Sequence, residues 1–356
     1  MKLVEVMPAN QTNSQLNVRS LRPIVCAHGF SMRKRPLVRQ FCQREDVRFV
    51  SQAAQVPDDA DLLLWGAAEP PAGLSESVRV VRLEDGFIRS VGLGADLVTP
   101  LSWVVDTQGI YFDSRTPNDL ETLLQTRAFT ASDLERAGLL RQQLVAQGVS
   151  KYNLMGHAWH RPPGVGRVVL VAGQVETDAS IRWGAQDIRT NLALLQFVRQ
   201  AEPDAWLVYK PHPDVVAGLR RAGAHEDEAA RWCNELLPQA NMGQLLPLVD
   251  EVHVMTSLTG FEALLRGIRV CCHGQPFYAG WGLTTDRQGV SRRTRKLTLD
   301  ELVAGALLHY PVYLAPGASQ PCSAEDAVAA LLLLRQSSPS QLPLWRRALR
   351  PLLARP

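Results

Sequence analysis

An α/β chain of two Rossmann-like domains facing across a cleft is what this sequence predicts. Three observations carry that prediction. The chain has 356 residues, more than twice the commonest domain size. Short apolar runs of strand length alternate with helix-compatible stretches through both halves, the pattern of parallel sheets covered by helices. The densest proline and glycine cluster, Arg161-Pro162-Pro163-Gly164-Val165-Gly166, falls between the two sets, where a linker belongs. The expected division is therefore 1–160, 161–321 and a helical tail, 322–356.

In order along the chain, residues 23–27 form the first apolar run and end at the turn pair His28-Gly29. A basic, helix-compatible stretch follows at 33–44. Residues 47–50, 62–66 and 78–83 are further apolar runs, short and continuous enough to read as strands buried on both faces. Asn118 with Glu121, and Ser132 with Glu135, have capping-box spacing and open two helices. In the second half, 168–172, 205–209, 251–255 and 269–272 read as strands. Residues 191–200 and 261–266 read as helices, with two more starting at Thr298 and Ser323.

Hydrophobic residues make up 46% and charged residues 21% of the chain, which excludes disordered, collagenous and coiled-coil classes. The longest apolar run, 327–334, is far short of the ~20 residues a spanning helix needs, and residues 1–20 lack the apolar core of a signal peptide. A cytoplasmic protein is expected. The five arginines of residues 335–356 outweigh the whole net charge of +3, so the body of the chain carries no basic excess for nucleic acid. The six cysteines show no CxxC pair and no histidine at metal spacing, so they read as buried free thiols. Cys271 and Cys272 would point to opposite faces of a strand. Neither GxGxxG nor GxxxxGK[ST] occurs, which argues against nicotinamide oxidoreductases and P-loop ATPases. Asp59-Ala60-Asp61 precedes a strand and reads as a solvated turn.

Ligands in open α/β sheets bind at the carboxyl ends of strands, and four constellations stand there. Thr256 and Ser257, with Thr259 close by, open a helix; hydroxyls and free N–H groups at the positive end of a helix dipole suit a phosphate, although a plain N-cap uses the same residues. Lys210 and His212 flank Pro211, which holds two cationic or hydrogen-bonding groups at fixed spacing. They can neutralise a phosphate, and His212 can donate a proton near neutral pH. Glu84-Asp85 ahead of Gly86 can act as a general base or merely cap a turn. Asp178, beside Arg182, would stay ionised as a nucleophile or charge stabiliser, or serve in a structural ion pair.

Long blocks around these residues resemble the bacterial capsule β-Kdo transferases, also described as capsule polysaccharide export proteins. They include His28-Gly-Phe-Ser31 with Lys34-Arg-Pro36, Leu62-Leu-Leu-Trp-Gly66, Glu84-Asp-Gly-Phe-Ile-Arg-Ser-Val-Gly-Leu-Gly94 and Gly109-Ile-Tyr-Phe-Asp113. The second half adds Gly173-Gln-Val-Glu-Thr-Asp-Ala-Ser180, Tyr209-Lys-Pro-His-Pro213, Thr256-Ser-Leu-Thr-Gly-Phe-Glu262 and His273-Gly-Gln-Pro-Phe-Tyr-Ala-Gly-Trp-Gly282. The acidic, His-Pro and Thr-Ser signatures are also similar to those of bacterial sialyltransferases. The resemblance implies a metal-independent GT-B glycosyltransferase that needs no cofactor beyond its donor, CMP-β-Kdo. It transfers Kdo with retention to a lipid-linked or Kdo-terminated glycan, in two displacements. Carried onto this chain, it makes Asp178 the nucleophile and Asp85, with Glu84 beside it, the acid/base. Lys210, His212, Thr256 and Ser257 would hold the CMP phosphate. Arg182 would pair with the Kdo carboxylate, and Gln174 and Tyr278 would touch the sugar.

Many capsule members carry two such modules in tandem; this sequence has one. An inverting CMP-sialic acid transferase, which would not need Asp178, and a non-catalytic export or scaffold subunit stay open as alternatives. The tail at 342–355 mixes Trp and Leu with Arg. That composition suits an interfacial segment on the inner face of the cytoplasmic membrane or a closing helix packed across both domains. The basic cluster 292–296 reads as a solvated loop.

Overall fold

The computed structural model describes residues 17–92, 99–151, 153 and 156–337. Five strands open the chain: β1 (Val25–His28), β2 (Arg48–Val50), β3 (Asp61–Trp65), β4 (Arg79–Asp85) and β5 (Ser102–Asp106). Six follow: β6 (Val168–Ala172), β7 (Trp206–Lys210), β8 (Glu235–Leu236), β9 (Glu251–Val254), β10 (Arg269–Cys272) and β11 (Thr285–Asp286). Last comes β12 (Pro311–Tyr313). They form two six-stranded sheets, ordered β12-β5-β4-β3-β1-β2 and β11-β10-β9-β6-β7-β8. The second sheet is parallel throughout. In the first, β4 and β5 pair antiparallel, as do β5 and β12.

The continuous apolar runs form the central strands because both of their faces are covered. On β6, Val169 and Val171 pack with Leu194, Leu195 and Val198 of the helix Asn191–Ala201. Val168 and Leu170 face the opposite core. On β3, Leu63 faces Val38 and Phe41 of the helix Lys34–Cys42, while Leu62 and Leu64 face Val56 and Val78. Each such side chain contributes roughly 1.5–3 kcal/mol of burial. One core runs between the sheets, joining Phe87 and Val104 to Val252, Cys272 and Phe277.

Several expectations need correction. The helix expected to start at Ser132 is Ala131–Ala146, and its capping box is Thr130 with Asp133. Asp61 is not solvated: it is buried, bonded by Arg79 at 2.7 Å and by the Arg22 N–H at 2.8 Å. The cluster 292–296 is not a solvated loop either, because Arg292 and Arg293 bind the buried Glu121 at 2.7 and 2.9 Å and Arg295 pairs with Glu301 at 2.5 Å. Cys26, Cys42, Cys271 and Cys272 are buried free thiols, but Cys233 and Cys322 are only half-buried. Segment 161–321 does not belong wholly to the second sheet. Asp300 and His309 bind Arg141 and Asp133 of the helix Ala131–Ala146 at 2.9 Å each, and β12 then joins the first sheet. The tail at 342–355 and Gly94 lie outside the described residues. Among those residues no helix is long and apolar enough to cross a membrane.

Candidate active site

The carboxyl ends of β3 and β4 meet those of β6, β7 and β9 around a cavity of about 430 Å³. Glu84, Asp85, Trp65, Tyr111 and Phe112 line it from one side. Gln174, Asp178, Lys210, His212, Thr256, Ser257 and Thr259 line it from the other.

On the first side, β4 ends in the two acids. Glu84 Oε1 accepts the Asp85 N–H at 2.9 Å, and Asp85 Oδ2 binds Arg89 Nε at 2.5 Å. Burial, helped by the charge of Asp85, pushes the Glu84 carboxyl up to about 7. Its other oxygen occupies the space that a Cβ at Gly66 would need, 2.6 Å away, and Gly66 itself has φ +48°. Lys34 lies 3.3 Å above the Trp65 ring. Burial lowers its ammonium pKa, while Asp85 and Glu84 raise it.

On the second side, Gln174 is a clamp. Its amide nitrogen donates to Thr256 Oγ1 at 2.7 Å and to Ser180 Oγ at 3.0 Å, and its oxygen accepts the Thr256 N–H at 3.2 Å. Ser257 caps the helix Leu258–Leu265 by accepting the Thr259 N–H at 3.2 Å. Asp178 precedes the helix Ala179–Gly184, yet its side chain does not cap it and is left to the cavity. Lys210 is buried, which lowers its pKa against the opposing pull of Glu262. His212 Nδ1 accepts the Asp214 N–H at 3.2 Å, leaving Nε2 as the donor.

Four expectations change here. Asp178 has a raised pKa, from burial, and the cations opposing that rise are Arg220 and Lys151, not Arg182. Arg182 is exposed in the last turn of its helix and does not line the cavity. Tyr278 is fully buried; its hydroxyl donates to the Ser257 carbonyl and rests where a Cβ at Gly260 would stand, 2.3 Å away, so it braces the loop and does not line the cavity. His212 is a neutral donor in the free site, not an acid near neutrality. Burial and then Lys151, Lys210 and Arg220 push its pKa down to about 3.

The sequence reading missed Lys151, Arg220 and Glu262, all of which line the cavity. Glu262 is buried and accepts the Lys151 N–H at 2.7 Å. It lay inside a quoted block, but no spacing marks Lys151 or Arg220. It also missed the grouping of His253, Cys271 and His273, because histidines 20 residues apart in sequence meet only across paired strands. Taken together, the cavity offers a half-buried acid near neutrality opposite a second carboxylate that is ringed by cations. Such a site can bind an anion and move a proton.

The chain matches the family of capsule polysaccharide biosynthesis proteins over residues 61–158 and 139–315. It is 45% identical over 320 residues to the capsule polysaccharide modification protein LipA of Neisseria meningitidis serogroup B, covering 87% of this chain and 45% of that protein. The chain thus spans about half the length of that relative. Among solved structures it is similar to the β-Kdo 2,7 transferase of Thermosulfurimonas dismutans KpsC, with 38% identity, a TM-score of 0.74, and coverage of 88% of this chain and 99% of that one. The β-Kdo 2,4 transferase of the same KpsC gives 31% identity, a TM-score of 0.76, and coverage of 87% and 99%. The chain belongs to the capsule polysaccharide biosynthesis protein family.

Proposed function

We propose that this chain is a Kdo glycosyltransferase module of capsule or related surface-polysaccharide synthesis. In this reading it has a GT-B cleft and transfers Kdo from CMP-β-Kdo to a lipid-linked or Kdo-terminated glycan, with retention. The observation that carries the reading is the pairing of Glu84, on the first sheet, with Asp178, on the second, across one cavity. Retention at a single carbon needs two displacements, hence a nucleophile and a separate acid/base. The 31–38% identity to the two KpsC transferases supports the sugar.

The first displacement joins an Asp178 oxygen to the anomeric carbon as the bond to the CMP phosphate breaks. The phosphate leaves with the bonding pair, and Lys210 with the His212 Nε2–H and the Thr256 and Ser257 hydroxyls receive its charge. In the second displacement the acceptor hydroxyl attacks the same carbon. Its proton passes to Glu84, and Asp178 departs as the carboxylate. Glu84, raised to about 7, suits a base at neutral pH; Asp85, tied to Arg89, positions it. Arg220 or Lys151 replaces Arg182 as the partner for the Kdo carboxylate. Because the chain's own cations meet the phosphate, no metal is assigned to the transfer.

The experiment is intact-protein mass spectrometry after mixing with freshly generated CMP-Kdo and no acceptor. A gain of one Kdo, absent in Asp178→Asn, is expected. Once a Kdo-terminated acceptor is added, product formed without any prior adduct, at an undiminished rate in Asp178→Asn, would instead indicate an inverting enzyme. Neither adduct nor product with CMP-Kdo and a Kdo-terminated acceptor would point to a CMP-sialic acid donor or a scaffold role.

A further inference from the structure

Away from the cavity, His253 on β9 and Cys271 on β10 are register partners in a parallel pair, so their side chains leave the same face of the sheet. His273 follows two residues after Cys271 and shares that face. All three are buried, at 3%, 6% and 2% exposure. Their ligand atoms lie within 4.8 Å of one another. His253 Nδ1 and His273 Nε2 face each other at 3.0 Å. We propose that His253, Cys271 and His273 form a metal site of the zinc class that ties β9 to β10.

The donor set selects the ion class. One thiolate and two imidazoles suit zinc and its borderline-soft neighbours, and do not suit magnesium or calcium. Bond lengths of about 2.0–2.1 Å to nitrogen in a tetrahedral site place two ligand nitrogens about 3.3 Å apart. The two rings therefore need to open by only a few tenths of an ångström. The outer nitrogen of His253 lies 2.9 Å from Glu251 Oε1, and Arg167 binds the other Glu251 oxygen. A carboxylate on the far ring nitrogen is what turns the near lone pair inward at histidine–metal sites. His273 is held edge-on by Phe197, with ring centroids 5.0 Å apart. The charges of Glu251 and Asp286 bear on Cys271 against that of Arg287, which also hydrogen-bonds its side chain. Binding displaces the Cys271 thiol proton to solvent, and the ion replaces the hydrogen bond between the imidazoles. Three protein ligands would leave the ion's fourth position open.

The site does not depend on the identity of the donor sugar. It does bear on the cavity, because β9 runs on into Thr256 and Ser257, and β10 into Pro276 and Phe277, all of which line it.

The test uses the full chain with no affinity tag. Metal content is measured on protein from zinc-supplemented growth, then cobalt(II) is titrated into the chelated protein. Expected are about one ion per chain, a rise in melting temperature with zinc, and a thiolate-to-cobalt charge-transfer band. That band should survive Cys233→Ser and Cys322→Ser but vanish in Cys271→Ser, and His273→Asn should weaken binding at least tenfold. If Cys271→Ser fails to fold, X-ray absorption on the wild-type zinc protein decides, with one sulfur and at least two nitrogens expected. No binding by the wild type, a band that persists in Cys271→Ser, or a shell without sulfur overturns the proposal.

Discussion

On the second-sheet side of the cavity Gln174, Thr256, Ser257 and His212 are fixed by neutral hydrogen bonds close to the strand ends. Gln174 grips Thr256, Ser257 caps its helix, and the His212 ring accepts a backbone N–H two residues on. The first-sheet side is held by charge. The charges of Asp85 and Lys34 bear on Glu84, those of Asp85, Glu84 and Arg89 bear on Lys34, and Arg89 pairs with Asp85; the sheet behind them turns antiparallel at β5. The difference teaches a division of labour. A preorganised array of donors suits a fixed anion, while coupled acids suit a proton that has to move.

If the sides differ in this way, their variants should fail differently. The largest effect is expected for Asp178→Asn, a loss of at least ~10³-fold in transfer rate with the apparent donor affinity nearly kept. Residual transfer near the wild-type rate would break the assignment. Glu84→Gln should follow, with a loss of about 10²–10⁴-fold and a changed pH profile. Wild-type turnover should climb through about pH 7 as Glu84 loses its proton, and the variant should lack that limb. Stability gives a second reading of the same group. A carboxyl raised by burial is bound more tightly to its proton in the folded state. Its contribution is therefore full below its ordinary pKa and lost as pH rises through about 7. Melting curves of Glu84→Gln and wild type between pH 5 and 8 should diverge accordingly. Equal slopes would remove the perturbed acid.

Smaller effects sharpen the second side. Lys210→Met should raise the donor KM about 10–100-fold, the loss of one charge-assisted contact to phosphate, with a lesser change in kcat. An unchanged KM would place the phosphate elsewhere. Away from both sides, Arg293→Met leaves Glu121 buried beside Arg292 alone. It should cost about 3 kcal/mol in urea unfolding and leave the kinetic constants of the folded fraction unchanged.

The second-sheet side was the more legible of the two. Its strands are continuous apolar runs, and its functional groups stand immediately after them, so position in sequence nearly equals position in space. Lys210, His212, Thr256 and Ser257 all line the cavity as expected. Arg182 did not, because proximity in sequence to Asp178 says nothing about which side of a short helix a residue leaves. Lys151 and Arg220 come from segments with no periodicity, and only tertiary packing brings them in. In the first sheet, β5 opens next to Pro100-Leu101 and β12 opens on Pro311. The three-residue β12 lacks the length that pattern reading requires, as do the two-residue β8 and β11, while β5, with five residues, was passed over beside its proline. The buried charges, Asp61 and Arg293, were read as solvated because their partners, Arg79 and Glu121, are 18 and 172 residues away.

The pairing of β12 with β5 also sets a timetable. Ser102–Asp106 and Pro311–Tyr313 are separated by about 200 residues of chain, which take roughly 10–40 s to synthesise at 5–20 residues per second. During that interval the nascent first sheet has an open edge at β5, while the second sheet, contiguous in sequence from 168 to 286, can close. Translation order and order of completion are thus inverted: the half that begins first is finished last, and an unpaired strand waits for its partner in the meantime.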